Sequence, residues 1–160
     1  MTKRQLIAAA SILSVAGVGT VDVLRAQSGD AAIHEKLRKP SGNKIAIRIE
    51  GKMFTIDLYD NATAGDLVTK LPLTVKVSDY PGYDEKLLRL KEGLSMKGAP
   101  KGDEPEIPEV GYYEPGRWIA LYYGPIGYWP GKVPLGRIHA SVDEIRTIPE
   151  SASVTIENIR

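Results

Sequence analysis

The 160-residue chain has no cysteine, only two histidines, a single phenylalanine and almost no excess of charge. Without cysteine there is no disulfide framework, no thiolate nucleophile, no iron–sulfur cluster and no cysteine-ligated zinc. A lipid-anchored lipoprotein is excluded as well, since that anchor is attached to a cysteine. His34 and His139 are too few and too far apart in sequence to suggest a histidine-rich metal site, and no metal is expected. The 21 basic and 20 acidic residues are interspersed and leave a net charge of +1. Neutralising phosphates requires a basic face, so no nucleic-acid partner is expected. Gly124 to Gly131 is glycine-rich but lacks the spacing of a phosphate-binding loop, and no cofactor is expected.

What remains is an ordinary globular mixture, 42% hydrophobic and 26% charged, of a length suited to one domain. The N-terminus stands apart from it. Lys3 and Arg4 precede a run from Leu6 to Val21 with no charged residue, and Asp22 ends the run. A basic start and an apolar core shorter than a membrane span of roughly 20 residues predict an export signal. Leu24-Arg25-Ala26 offers a cleavage site after Ala26. Residues 1–26 are therefore read as a signal peptide or N-terminal anchor, and the protein as exported, periplasmic or secreted. Membrane contact is expected only through this segment if it stays uncleaved. Residues 27–43, ending Lys39-Pro40-Ser41-Gly42-Asn43, read as a mobile linker, and residues 44–160 as the folded domain.

Within the domain, Ile45, Ile47 and Ile49 alternate with Ala46, Arg48 and Glu50, the period of a half-buried strand. Gly51-Lys52 supplies a two-residue turn, and Phe54, Ile56 and Leu58 continue the alternation, so a hairpin is predicted. Ala64, Leu67, Val68 and Leu71 change to helical spacing behind a Thr63/Asp66 capping box, which predicts a helix over about 62–71, stopped by Pro72. Strands are expected at Leu73–Val77, Glu85–Leu90, Arg117–Tyr123, Pro134–Ala140 and Val154–Ile159, with a short helix capped by Ser141. Residues 91–110, holding three prolines and three glycines, read as a long surface loop. The class is mainly β, a closed barrel or sandwich with one or two short helices.

Seven aromatics, Tyr112, Tyr113, Trp118, Tyr122, Tyr123, Tyr128 and Trp129, fall within 18 residues. Tyrosine and tryptophan combine apolar area with a polar tip, which suits a ligand surface as well as core and lid packing. Tyr113, Trp118, Tyr122 and Trp129 are the candidate ligand-binding residues. Strand alternation sets Trp118, Ala120 and Tyr122 on one face and Ile119, Leu121 and Tyr123 on the other, and one set must fill the core. His139 as a general base would need an orienting carboxylate, for which Asp143 is near in sequence. Asp103, Glu104, Glu106 and Glu109 lack the spacing of a calcium loop and read as a solvated acidic loop. His34 reads as solvated, and Asn61-Ala62-Thr63 as helix capping.

In order along the chain come Tyr59-Asp60-Asn61-Ala62-Thr63-Ala64, Leu71-Pro72-Leu73-Thr74, Gly98-Ala99-Pro100 and Gly111-Tyr112-Tyr113-Glu114-Pro115. Ile119-Ala120-Leu121-Tyr122-Tyr123-Gly124 and Val133-Pro134-Leu135-Gly136-Arg137-Ile138 follow. This series resembles the small bacterial cyclophilin-like domain family over roughly Lys44 to Ile148. The resemblance implies an eight-stranded, closed cyclophilin-like β-barrel with a helix closing an end. Cyclophilins proper are prolyl isomerases that use an arginine within a Phe-His-Arg-Val-Ile strand, a glutamine and aromatics. Here the matching strand reads Lys86-Leu87-Leu88-Arg89-Leu90. Arg89 can stand for the arginine, and is the one catalytic candidate, but the Phe and His are missing. The only glutamines, Gln5 and Gln27, lie outside the domain. The expected function is thus an exported, non-enzymatic domain that binds a peptide or small ligand. The alternative is a divergent peptidyl-prolyl cis-trans isomerase outside the cytoplasm.

Overall fold

In the computed structural model, residues 31–159 are described, and the compact unit that contains the barrel runs from His34 to Arg160. The segment read as an export signal, residues 1–26, lies outside the described residues. Residues 31–37 are helical (α1). Strand β1 (Pro40–Ile49) and strand β2 (Lys52–Tyr59) form the expected hairpin. Their turn is Glu50-Gly51, one position earlier than Gly51-Lys52, because Ile49 pairs with Lys52. Both turn residues have positive φ, 49° and 79°, as a type I′ turn requires. That register sets Ile47 opposite Phe54 and Ile45 opposite Ile56, all facing the core. A slip of one residue would turn the whole apolar face of β2 to solvent.

Helix α2 (Ala62–Lys70) is capped by Asn61, whose side chain accepts from the Ala64 N–H. The expected Thr63/Asp66 capping box is not made. The Thr63 hydroxyl donates to the Ser95 carbonyl, and the Asp66 carboxylate accepts from the Ser95 N–H, so both tie the long loop to α2. Strands β3 (Leu73–Asp79), β4 (Glu85–Arg89), β6 (Glu109–Tyr113), β7 (Trp118–Tyr122), β9 (Lys132–Ile138) and β10 (Ser153–Asn158) complete the barrel. Its order is β1-β10-β3-β4-β7-β6-β9-β2, closed by β2 on β1, with every pairing antiparallel. Closure gives every barrel strand a neighbour on both sides, although β3 and β4 share only three rungs. A two-residue ladder, β5 (Gly102–Asp103) on β8 (Trp129–Pro130), crosses the loops, so the 91–110 segment is tied down in its middle. Helix α3 (Val142–Arg146) carries a full capping box, Ser141 with Glu144.

The linker reading of 27–43 fails over its second half. Pro40–Asn43 belongs to β1, with Pro40 opposite Tyr59, and Arg38 just before it is buried. The alternation in β7 resolves into two cores. Ile119 and Leu121 point into the barrel with Ile45, Ile56, Leu88 and Leu135. Trp118, Ala120 and Tyr122, with Leu87, form a second cluster on the outer face of β4 and β7. That cluster is covered by Tyr80, Tyr113, Ile107 and Ile126. Neither face of β7 is left to water.

Candidate functional site

Three groupings on this barrel carry chemistry. The first is a cross-strand row on the outer face. Arg89 pairs with Trp118, Trp118 with Tyr113, and Tyr113 with Lys132, so four strands set four side chains side by side. The Arg89 guanidinium lies 4.7 Å from the Trp118 ring centre, and the Tyr113 and Trp118 rings are 4.8 Å apart. At the far end, Lys132 Nζ donates to Glu85 at 2.8 Å and lies 4.7 Å and 4.9 Å from the rings of Tyr122 and Trp129. Both members of the pair are sealed, Lys132 at 1% exposure and Glu85 at 0%. Burial lowers the lysine's pKa, and the hydrogen bond to Glu85 works against that. An ammonium enclosed this way by a carboxylate and aromatic faces holds strands together. It cannot meet a substrate.

Of the four aromatics expected to form a ligand groove, Trp118 and Tyr122 are therefore buried, and Tyr113 and Trp129 are half-buried. They pack on one another and on the Tyr80–Tyr83 turn, with Tyr83 and Trp129 edge-on at 4.9 Å. Tyr113, Tyr122 and Trp129 stand over Lys132 Nζ at 5.9, 4.7 and 4.9 Å. Sequence reasoning passed over Lys132 and Glu85. Parity does not single Glu85 out, since the buried Leu87 and the exposed Arg89 share its face.

The second grouping is built on Arg38. Its guanidinium, on a side chain 8% exposed, donates to both oxygens of Asp103 at 3.2 Å and 2.8 Å and to both oxygens of Glu109 at 2.9 Å. It also donates to the Glu104 carbonyl, and the Tyr59 hydroxyl donates to Glu109 at 2.9 Å. Burial acts on Arg38 in the lowering direction, yet its hydrogen bonds to Asp103 and Glu109 outweigh that and hold its pKa above the ordinary value. Burial pushes Asp103 and Glu109 up, with Arg38 opposing. The reading of 103–109 as a solvated acidic loop is thus corrected for two of its four carboxylates. Glu106 stays half-exposed, 3.3 Å from His34. The other histidine, His139, meets Asp57 at 2.7 Å and not Asp143, while Asp57 also accepts from Lys44 at 2.5 Å. All three are solvent-facing, so they form a surface ion cluster.

The third grouping is an opening in the barrel wall. β3 and β4 share only three rungs, the last being Val77 with Leu88. Beyond it β4 keeps company with β7, since the Leu90 N–H donates to the Arg117 carbonyl, while β3 continues along β10 from Lys76 to Leu73. Between the parted strands lies a cavity of about 890 Å³. Leu73, Val75 and Leu90 line it and pack on the barrel core, giving it an apolar floor. Lys70, Lys76, Arg89 and Lys91 stand around it against one carboxylate, Glu92. Arg89 is the hinge of the arrangement: it ends β4, stacks on Trp118 and borders the slit. Tyr113, Trp118, Tyr122 and Trp129 are not among the residues lining this slit.

A closed eight-stranded antiparallel barrel agrees with the sequence match: the pattern of the Cyclophilin-like family fits residues 47–157. The chain belongs to the Cyclophilin-like family. Among solved structures, the cyclophilin-like barrel is similar to a hypothetical protein of Archaeoglobus fulgidus determined in solution. The two share 20% identity over 76% of this chain and 98% of that one, with a TM-score of 0.55. That likeness is one of fold. No curated protein matches the chain. Membership gives the barrel its name and leaves its task to be argued from its own residues.

Proposed function

We propose that this protein is an exported, non-enzymatic cyclophilin-like domain that binds a peptide or small ligand in the slit between β3 and β4. The observation that carries the reading is the slit itself: about 890 Å³, apolar at its floor and cationic at its rim. Ligand sites are concave, largely apolar, and fixed by a few polar groups. The lining offers no histidine to move a proton, and its one carboxylate, Glu92, has a side chain 82% exposed. Arg89 rests on Trp118 without the Phe, His and Gln that accompany the isomerase arginine. Export rests on residues 1–26.

A bound compound adds stability as RT ln(1 + [L]/Kd), about 2.7 kcal/mol at a hundredfold excess over Kd. Thermal unfolding of the full chain against short blocked peptides and small apolar anions therefore reads occupancy. Val75 lines the slit and packs on the barrel core at its floor. Val75→Trp should fill the slit from its floor and abolish the ligand-induced shift. A shift that survives Val75→Trp places the ligand elsewhere. The isomerase alternative is separated by a protease-coupled proline-peptide assay: turnover that Arg89→Ala abolishes would replace the binding-only reading. Mass spectrometry of the N-terminus of the natural protein tests export, which predicts a start at residue 27.

A further inference from the structure

The wall of the slit is a strand edge, and its backbone decides what fits. Val77 donates its N–H to the Ala152 carbonyl and accepts from the Ser151 N–H, so its polar groups face the β10 side. In an antiparallel strand successive residues direct N–H and C=O to opposite neighbours. Ser78, Lys76 and Thr74 therefore face the β4 side. The ladder with β4 ends at the Val77 rung, one residue short of Lys76. The Lys76 N–H and the N–H and C=O of Thr74 thus point into the slit with no strand beside them. Side chains alternate in the same way. Val75 points to the apolar floor, while Thr74 and Lys76 are exposed on the outer face.

We propose that this edge takes an extended acidic peptide as an added strand, in the pattern acid–apolar–acid. The proposal rests on the slit being the ligand site. The residue opposite Thr74 exchanges two backbone hydrogen bonds with it, and a carbonyl two positions along accepts from Lys76. The residue between them drops an apolar side chain on Val75 and Leu73. Charge selects the flanking residues. Lys76 and Lys91 have no ion pair among the described residues, Arg89 is held by an aromatic face, and only Lys70 is already matched, by Asp66 and Glu92. At about 3.4 Å per residue, five residues span the open edge. Opposite charges directly across strands favour binding by up to about fivefold each.

The test uses the full chain and a fluorescein-labelled, end-blocked peptide Glu-Val-Glu-Val-Glu, read by anisotropy. The peptide should bind, and its charge-reversed form with lysines should bind at least tenfold more weakly. N-methylation of the central Glu amide, which faces β3, should weaken binding roughly 5- to 10-fold, the loss of one hydrogen bond with its partner left bare. N-methylation of a neighbouring Val amide, which faces away, should leave affinity within twofold. Thr74→Pro removes the edge donor at a position where strand proline is tolerated, and should weaken the peptide by a similar factor at unchanged circular dichroism. Equal losses from the two N-methyl peptides, or equal affinity for the lysine peptide, would overturn strand addition. If neither peptide binds but decanoate gives a thermal shift that Val75→Trp removes, strand addition falls and the slit stands as a small-ligand site. If decanoate also gives no shift, both readings fall together.

Discussion

Replacing Arg38 with methionine tests how the chain before the barrel is attached to it. The side chain makes four hydrogen bonds to two carboxylates that are nearly inaccessible, Asp103 at 5% and Glu109 at 1% exposure. Methionine preserves the stem and removes the charge. Two buried carboxylates then face each other without a cation, and removing one partner of a buried charge pair costs about 3–5 kcal/mol. With a urea slope of about 2 kcal/mol/M, the unfolding midpoint at pH 7 should fall by roughly 2 M. The pH dependence carries a sign. Burial has already raised both carboxylates above their unfolded values, so the folded form binds protons more readily than the unfolded one. The stability these groups contribute is present below the ordinary carboxylate range and is lost as pH rises through their raised folded values. Without Arg38 they rise further, so the deficit of Arg38→Met should shrink between pH 7 and pH 5. Asp103→Asn with Glu109→Gln in the Arg38→Met background removes the stranded charges and should recover part of the loss. Urea titrations followed by tryptophan fluorescence measure all of this. A pH 7 shift below about 0.5 M, or a deficit that grows on acidification, would show that the Arg38 network does not hold in solution.

The Lys132 and Glu85 pair should behave alike: Lys132→Met strands Glu85 in the outer core and should cost about 3–5 kcal/mol, while adding Glu85→Gln should recover much of it in the same urea assay. Gly136→Ala should destabilise by more than about 1–3 kcal/mol, because a Cβ there would lie 2.4 Å from the Asp57 carbonyl oxygen, which is backbone and cannot rotate away. His139→Asn should change stability by less than about 1 kcal/mol, since its ion pair with Asp57 is solvent-exposed; a loss several times larger would show that this cluster fastens β2 to β9.

The strands were legible because each carries its own period. Ile45, Ile47 and Ile49 announce a face whatever they pair with, and Ser141 announces a helix start. The errors arose where a residue's partner is distant. Thr63 reads as a cap until the loop at Ser95, 32 positions on, offers it a carbonyl. Arg38 reads as linker because Glu109 is 71 positions away, and Lys132 shows no role in the sequence because Glu85 is 47 away. The aromatic cluster was legible as a cluster, but its purpose was not, since aromatics that bind a ligand and aromatics that enclose a lysine are the same residues. The slit has no sequence signal at all: it exists because a ladder stops at Val77.

The outer aromatic row and the open edge meet at one residue, Arg89, and this bears on the binding mode proposed for the slit. Arg89 belongs to the outer row through Trp118 and to the slit through its place at the end of β4. An isomerase needs its arginine free to reach a proline amide, over a surface that holds the ring. Here the outer surface is filled by Trp118, Tyr113 and the sealed Lys132, and the exposed Arg89 guanidinium lies 4.7 Å from the Trp118 ring centre. A cation stacked on a ring beside an open strand edge suits an anionic extended chain better than a reaction that must strain a peptide bond and release it. In the proposed binding mode, the row that closes the outer face is what sets recognition at the strand edge and not on the sheet surface.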